Sequence, residues 1–242
     1  MKRIWIITLF PEYFEPLVHC GIAGQLFRGE RGEPIEIKTV QLRHHTLNDY
    51  KGVDDSPFGG GAGMVMRADV LKKALMEGVA PFYGHELSRE ELKEKVQVIY
   101  MNPRGVVWSH RQAKHLAKSD KDLVFLCGRY EGIDERFIER YVDLEYSIGD
   151  YILTGGEIAA MAIIDSTIRF LSGALKNAQS LETESFEGNL LEHPQYTRPK
   201  EFEGISVPEV LLSGHHLKIK EYRLQEQLRI TAKHRPDLLS KD

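Results

Sequence analysis

The sequence lacks the features that mark several large classes of protein. It has only two cysteines among 242 residues, Cys20 and Cys127, so we expect neither a disulfide framework nor a thiolate metal site. Each stands at the end of a helical or apolar pattern, and both are predicted to be buried, reduced packing residues. No apolar run approaches the roughly 18 to 20 residues that a membrane helix needs, and the amino terminus becomes polar too soon for a signal peptide. A cytoplasmic protein without a membrane segment is expected.

Phosphate-binding signatures and an overall positive charge are also lacking. The glycine-rich segments at residues 128–132 and 147–156 contain neither G-x-G-x-x-G nor a Walker lysine, which disfavours dinucleotide or triphosphate binding by those mechanisms. The net charge of −4 argues mildly against nucleic acid, since phosphate contacts favour a basic surface. Between Ser213 and Arg235, however, six lysines and arginines stand against two glutamates. The sequence therefore combines an acidic body with a locally basic tail.

Strand-like and helical patterns alternate through residues 1–171, which we predict to form the first domain. Apolar, β-rich runs occupy residues 4–9, 35–40, 96–101, 123–127 and, more weakly, 141–146. Helical patterns occupy residues 11–20, 68–77, 109–119, 134–139 and 157–171, and Ser88 begins a capping-box motif. This alternation predicts an α/β fold in which a parallel sheet carries helices on both faces.

The pattern changes after residue 171. Residues 172–195 are predicted to be an interdomain linker, and residues 196–242 a small helical C-terminal domain. Within this domain Ser213 is predicted to cap a helix that runs to residue 233, with leucines in a broken apolar stripe, and Arg235-Pro236-Asp237 to end it.

Three loops follow predicted strands, at residues 100–105, 128–132 and 147–156. Open α/β sheets bind ligands beyond the carboxyl ends of their strands. Glycine lets main-chain N–H and C=O groups approach a ligand closely, and such groups can hydrogen-bond an adenine edge or a ribose. Any one of these loops alone would be interpreted as a tight turn. Three at equivalent topological positions indicate a binding site.

Other segments have a structural interpretation beside a functional one. The glycine-rich loop at residues 58–64 could cradle a phosphate, but it lacks a lysine and is equally typical of a flexible surface loop. Arg169, near the end of an apolar helix, either reaches solvent or faces a cleft. Glutamates at positions 182, 184 and 187 would by default form a solvated acidic face. The histidine pairs at 44–45 and 215–216 are assigned no metal, because adjacent residues of a strand face opposite sides.

Motifs spread over nearly the whole chain carry a resemblance to a known family. They are LFPE at 9–12, VDD-x-P-x-GGG-x-GM at 53–64, GRYEGIDER at 128–136, SIGDYILTGGE at 147–157, IDS at 164–166, HP-x-YTRP at 193–199, LLSG at 211–214 and RPDLL at 235–239. With these motifs the sequence resembles the bacterial tRNA (guanine-N1)-methyltransferase family, which belongs to the knotted SPOUT class of S-adenosylmethionine enzymes.

The resemblance implies a deep trefoil knot in the first domain, a homodimer with the cofactor site near its interface, and a helical second domain that helps to hold tRNA. It also suggests magnesium, for which we predict no ligands. It places the S-adenosylmethionine contacts on Tyr100, Met101, Pro103, Gly128, Tyr130, Glu131, Gly132, Ser147, Ile148, Gly149, Asp150, Tyr151, Ile152, Leu153, Gly155 and Gly156. With the basic tail, it places tRNA contacts on Asp54, Gly59, Arg198, Ser213, Lys218, Arg223 and Arg229.

The implied reaction transfers a methyl group to N1 of the guanosine immediately 3′ of the anticodon. Guanine N1 becomes nucleophilic when a general base removes its proton, and a cation near O6 stabilises the negative charge that develops. Arg169 matches the family's arginine and takes the second role. Glu184 stands where the family usually has aspartate and is the predicted base, with Glu182 as the alternative. Phe58 and Tyr222 also depart from the family, which usually has tyrosine and tryptophan there.

Two other functions stay open from the sequence. A ribose 2′-O-methyltransferase of the same class would share the cofactor site. A non-enzymatic RNA- or DNA-binding protein would use the basic helix after Ser213 and would not need the loop at residues 147–156.

Overall fold

The computed structural model describes residues 3–46, 52–175 and 184–240. They fall into two compact units, Met1–Leu175 and Lys176–Asp242. Glu182 lies outside the described residues, as does the part of the predicted linker between residues 176 and 183.

A five-stranded parallel sheet forms the centre of the first unit. Its strands are β1 (Arg3–Thr8), β2 (Glu36–Gln41), β5 (Val96–Val107), β6 (Asp122–Leu126) and β7 (Leu144–Ser147), in the spatial order β2-β1-β6-β5-β7. Two short strands, β3 (Asp54–Asp55) and β4 (Val65–Met66), pair antiparallel in a separate hairpin. The central strands are almost continuously apolar because helices cover both faces of a parallel sheet.

Side chains of β1 alternate between two hydrophobic cores. Trp5 and Ile7 pack on one face of the sheet with α3 (Ala68–Gly78), α4 (Arg89–Lys93) and α6 (Glu135–Tyr141). Ile4 and Ile6 pack on the other face with α2 (Gly21–Phe27), α5 (His110–Leu116) and α7 (Glu157–Ile168). The predicted α/β fold, a parallel sheet with helices on both faces, is confirmed.

Some expectations about the first unit are wrong in detail. The strand predicted over residues 141–146 begins only at Leu144, because Tyr141 ends α6 and stacks on Phe137 in the core. Cys20 is exposed rather than buried, since it follows the short helix α1 (Glu15–His19), which buries no residue. Helix α2, which comes next, was not predicted. The predicted loop at residues 100–105 does not follow β5 but lies within it, where the pairing with β7 is interrupted between Met101 and Val106.

The second unit contains a hairpin of β8 (Glu201–Phe202) and β9 (Ile205–Ser206), followed by α8 (Glu209–Leu212) and the long helix α9 (His216–His234). Helix α9 ends at Arg235-Pro236 as predicted, because proline cannot continue a helix. Ser213 does not cap it. The N-cap is His215, and the Ser213 hydroxyl donates to the Val210 carbonyl at 2.7 Å, since α8 ends there. The leucines of the predicted stripe, at positions 217, 224 and 228, are exposed.

In none of the three described ranges does a helix have both the length and the apolar composition that crossing a bilayer requires.

Candidate functional site: a cleft at the carboxyl edge of the sheet

A cleft of about 280 Å³ opens where β5, β6 and β7 end. It is formed by three segments of chain, one within β5, one after β6 and one after β7. Its lining residues are Tyr100, Met101, Asn102, Pro103, Gly128, Arg129, Tyr130, Glu131, Gly132, Tyr146, Ser147, Ile148, Gly149, Tyr151, Ile152, Leu153, Thr154, Gly155, Gly156 and Ala159.

A bulge in β5 shapes the first wall. Pairing with β7 stops at Met101 and resumes at Val106, so the residues between them leave the regular ladder. Gly105 packs so closely on the Tyr146 backbone that a β-carbon would overlap it, and the bulge therefore needs glycine there. The Asn102 amide donates to the Glu145 carboxylate, and its own carbonyl oxygen accepts from Arg104 N at 2.8 Å. These bonds hold the bulge open toward the cleft.

The two glycine-rich loops pack backbone against backbone. Gly156 N donates to Gly128 O at 2.9 Å. A β-carbon on Gly156 would lie 2.9 Å from the Cys127 Cα, and one on Gly128 would lie 2.9 Å from the Tyr100 ring. Since backbone cannot move aside as a flexible side chain can, the loops at 128–132 and 147–156 reach this separation only with glycine at these positions.

A buried ion pair joins the loops behind the cleft. The Glu157 side chain is 1% exposed, and Arg129 Nη2 lies 2.9 Å from its Oε2. The Thr8 hydroxyl donates to Glu157 Oε1 at 2.8 Å, and Arg129 Nη1 donates to the Thr154 carbonyl at 3.1 Å. The guanidinium also lies 4.5 Å from the centre of the Phe10 ring. The charge of Arg129 is thus compensated within the protein.

The remaining chemistry of the cleft is mildly acidic and otherwise uncharged. Among the lining residues, all of which are described, Glu131 is the one carboxylate and Arg129 the one cation. Burial raises the pKa of the Tyr100 phenol, which therefore stays neutral. Burial also raises the pKa of the Cys127 thiol well above its usual range, so this cysteine is an unreactive packing residue.

The β3–β4 hairpin is attached to the same loops. Glu131 N donates to Met64 O at 3.0 Å, Met66 N to Gly132 O at 2.9 Å, and Asp134 N to Met66 O at 3.0 Å. A β-carbon on Gly63 would overlap the Glu131 side chain. At the tip of the hairpin Phe58 is 99% exposed, and Gly59 adopts a left-handed φ of 91°. The glycine-rich loop at residues 58–64 is therefore anchored at its base to the segments that line the cleft.

Comparison with known proteins assigns the chain to a family. It matches the family model described as tRNA (Guanine-1)-methyltransferase TrmD over residues 1–241. The chain belongs to this family. It is 48% identical over 239 residues to a tRNA (guanine-N(1)-)-methyltransferase of Clostridium botulinum, an alignment that covers 99% of this chain and 92% of that protein. Proteins of the same name from Clostridium perfringens and Clostridium beijerinckii are 45% and 44% identical, with 99% of this chain and 94% and 92% of theirs covered.

The cleft collects the residues that the family resemblance assigns to the cofactor, with one exception. Asp150 is exposed and does not line it. Asn102, Arg129, Tyr146, Thr154 and Ala159 line the cleft and were not predicted. Asn102, Arg129 and Thr154 lie inside the three loops that the sequence indicates, so taking each loop as a whole would have included them. Tyr146 directly precedes the third loop and Ala159 lies two residues into α7, and only these two require a wider motif.

The predicted catalytic residues lie on different units. Arg169 is the C-cap of α7, half-buried, in the first unit. Glu184 is half-buried in a turn of the second unit, where its carbonyl accepts from Glu187 N at 3.2 Å.

The predicted tRNA-binding residues are also divided between the units. Asp54 lies in β3 and Gly59 at the tip of the hairpin. In the second unit Arg198 and Arg223 line a separate cavity, whereas Ser213 and Lys218 do not. Arg229 is already paired with Glu226, since its Nη2 lies 2.6 Å from Oε2. Within the described ranges no three His, Cys, Asp or Glu side chains gather in an arrangement that would hold a metal ion.

Proposed function

We propose that the chain transfers a methyl group from S-adenosylmethionine to N1 of the guanosine immediately 3′ of the anticodon in tRNA. One observation carries the proposal. The three chain segments that the family resemblance assigns to the cofactor, far apart in sequence, line a single cleft at the carboxyl edge of the parallel sheet. We place the reaction in the cytoplasm, where its tRNA substrate is.

The donor set of the cleft fits S-adenosylmethionine. Backbone groups of the loop at 147–156 suit the edge of an adenine, and Ile148 and Leu153 offer apolar contacts to its faces. Glu131 is placed to pair with the ammonium group of the methionine part. The aromatic rings of Tyr100 and Tyr146 suit a sulfonium cation, which is attracted to π faces. A triphosphate would find no lysine in this lining and only a cation that Glu157 already neutralises.

Two side chains carry out the proton and charge chemistry in this proposal. Glu184 takes the proton from guanine N1, which frees the nitrogen lone pair to form the new bond. Arg169 donates to guanine O6 and stabilises the negative charge that collects there. When bound, S-adenosylmethionine supplies the methyl group and is left as a neutral thioether. We assign magnesium no step, because the acidic residues in the described ranges do not form a cluster that fits it.

We further propose that the first unit is knotted. β7 is an edge strand of the sheet, yet the chain after it returns to the centre, where Gly156 bonds Gly128 and Glu157 meets Thr8 of β1. This return runs beside the segment that leaves β6, as a threaded chain would. Knots are rare among protein folds, so the proposal rests on the family resemblance, which implies a knot, as well as on this path of the chain.

A homodimer is the assembly that we propose. Tyr151, Ile152 and Ile158 are exposed close together in sequence, on the loop at 147–156 and the first turn of α7. Exposed apolar side chains grouped in this way are typical of a protein interface. Their position on the cofactor loop would place the cleft beside the partner subunit.

Analysis of the product tests the function. The protein is incubated with S-adenosylmethionine and with two tRNA transcripts that differ only in having guanosine or adenosine 3′ of the anticodon. Digestion and mass spectrometry should find N1-methylguanosine from the first transcript and no methylated nucleoside from the second. Recovery of 2′-O-methylguanosine would instead support the ribose methyltransferase. Binding of tRNA with no methyl transfer, and with no heat when S-adenosylmethionine is added, would support a binding protein.

A further inference from the structure

The second unit has a cavity of its own, with a volume of about 360 Å³. It is enclosed by the segment before the β8–β9 hairpin, by α8 and by the first half of α9. Its lining residues are His193, Pro194, Gln195, Tyr196, Thr197, Arg198, Lys200, Val207, Leu211, Leu212, Ile219 and Arg223. The proposed reaction does not use this cavity.

The lining combines an apolar floor with one aromatic side chain. Val207, Leu211 and Ile219 are half-buried, as expected of residues at the base of a cavity. Tyr196 is 45% exposed, so much of its ring is open to a ligand. Burial raises the pKa of Tyr222, and the neighbouring Tyr196 phenol adds to the effect, so the two phenols lie close together. A flat apolar group would be accommodated between this ring and the floor.

Three cations of the lining are uncompensated. Arg198, Lys200 and Arg223 form no ion pair with any carboxylate in the described ranges. Other arginines of the unit are neutralised: Arg229 by Glu226 and Arg235 by Asp237, at 2.6 and 2.7 Å. The three cations of the lining are thus unpaired, whereas these two arginines outside it are paired. Such a site favours an anion, and phosphate is the anion that arginine and lysine recognise together in nucleic acids.

We propose that this cavity binds one unpaired nucleotide of the tRNA, distinct from the guanosine that is methylated. The base enters the apolar slot and stacks on Tyr196, and its phosphate pairs with Arg198, Lys200 and Arg223. Single-stranded loops are recognised in this way, by splaying out a base onto an aromatic ring and by contacting its backbone. The inference rests on the proposed function, because tRNA is the nucleic acid in question.

The test uses the full-length protein and anticodon stem-loops in which each loop nucleotide in turn is replaced by 2-aminopurine or by an abasic residue. At one position other than the methylated one, 2-aminopurine fluorescence should fall on binding, since stacking on a ring quenches it. The abasic substitution at that position should weaken binding roughly tenfold, as loss of one base–aromatic stack does.

Variants of the cavity have matched controls elsewhere on the unit. Tyr196→Ala should weaken binding about tenfold to the intact loop and not to the abasic one, whereas Tyr196→Phe should bind normally. Phe202→Ala removes a still more exposed aromatic outside the cavity and should give no loss that depends on the base. Arg223→Gln should lower affinity and salt dependence more than Lys220→Gln, which removes the same charge from the same helix outside the lining.

The outcomes separate this inference from the proposed function. If wild-type protein methylates the guanosine but no loop position quenches, or if Tyr196→Ala behaves as Phe202→Ala does, the nucleotide pocket is wrong and the methyltransferase stands. If Tyr196→Ala does not fold, two other measurements decide whether the pocket exists. They are the difference in affinity between Arg223→Gln and Lys220→Gln, and the effect of each abasic substitution on binding. Absence of methyl transfer by wild-type protein, with quenching at one position retained, would overturn the function and keep the pocket.

Discussion

Glu184 lies in a turn whose backbone is fixed by several contacts. Phe186 adopts a left-handed φ of 76°, and the Ser185 hydroxyl accepts from Glu192 N at 3.0 Å. Leu191 N then donates to the buried Thr231 hydroxyl at 2.8 Å, which ties the segment to α9. A non-glycine residue with positive φ persists only where its surroundings determine it, and such residues cluster at functional sites. The turn thus gives the predicted base a defined position on the second unit.

Replacing the predicted base should stop the chemistry without affecting the cofactor. Glu184→Gln keeps the size of the side chain and loses its basicity, so single-turnover methyl transfer should fall by roughly 10²- to 10⁴-fold. Binding of S-adenosylmethionine, measured by calorimetry, should stay the same. Glu184→Asp restores the family's usual residue and should keep most of the rate. A normal rate in Glu184→Gln would refute the role.

The Arg129–Glu157 pair should matter for stability as well as for the cleft. Because Glu157 is 1% exposed, Arg129→Met leaves a buried charge without its partner, and the free energy of unfolding should fall by about 3–5 kcal/mol. Adding Glu157→Gln removes that charge and should recover part of the loss. Urea unfolding of both variants measures this. If the double variant were no more stable than Arg129→Met, the uncompensated charge would not be the cause.

At the scale of elements, local sequence patterns predicted the strands and the position of the cleft. Short apolar, β-rich runs identify β1, β5 and β6, and the rule for parallel sheets then brings the segments after them to one edge. Contacts between residues that are distant in sequence could not be predicted, because they leave no local pattern. Nothing local indicates that Arg129 and Glu157 pair across 28 positions, or that Gly105 must fit against Tyr146. The missed helix α2 starts at Gly21, a residue with low helix propensity.

The contact between the two glycine loops makes a prediction for Gly156→Ala. The new β-carbon would meet the Cys127 backbone at 2.9 Å, and the loops must separate to admit it. Affinity for S-adenosylmethionine should therefore fall at least tenfold by calorimetry, with a loss of about 1–3 kcal/mol in unfolding free energy. Gly84→Ala is the matched control, since its β-carbon meets only the Leu87 side chain at 3.2 Å. Equal cofactor affinity in the two variants would contradict this account.

At the scale of the whole molecule, an acidic chain is proposed to bind tRNA in part through basic side chains of the second unit. Lys218 and Arg223 have no carboxylate partner in the described ranges, whereas Arg229 is held by Glu226. A cation that is already paired gains less binding free energy from a phosphate, because it must give up or share its carboxylate partner. From the sequence alone, Lys218, Arg223 and Arg229 are equivalent candidates for phosphate contact. The ion pair with Glu226 distinguishes Arg229 from the other two.

Salt dependence of tRNA binding should reveal this difference. Neutralising Lys218 or Arg223 to glutamine should lower the slope of log affinity against log salt by about 1 each. Arg229→Gln should lower it by less. Filter binding over a series of salt concentrations measures the slopes, with cofactor affinity as the control for folding. Three equal changes would mean that the Arg229–Glu226 pair opens on the RNA.

The proposed dimer interface predicts that one substitution affects both assembly and cofactor binding. Ile152 is 83% exposed in the single chain and belongs to the loop that lines the cleft. A carboxylate there would be buried without a partner in the dimer, which is costly, so Ile152→Glu should sediment as a monomer. Because the loop would lose its support from the partner, S-adenosylmethionine should bind more weakly. Ile205→Glu, at a residue that is 73% exposed on the second unit, should remain dimeric with normal affinity.

A wild-type protein that sediments as a monomer at micromolar concentration would overturn the assembly. If Ile152→Glu remained a dimer, the interface would lie on another surface.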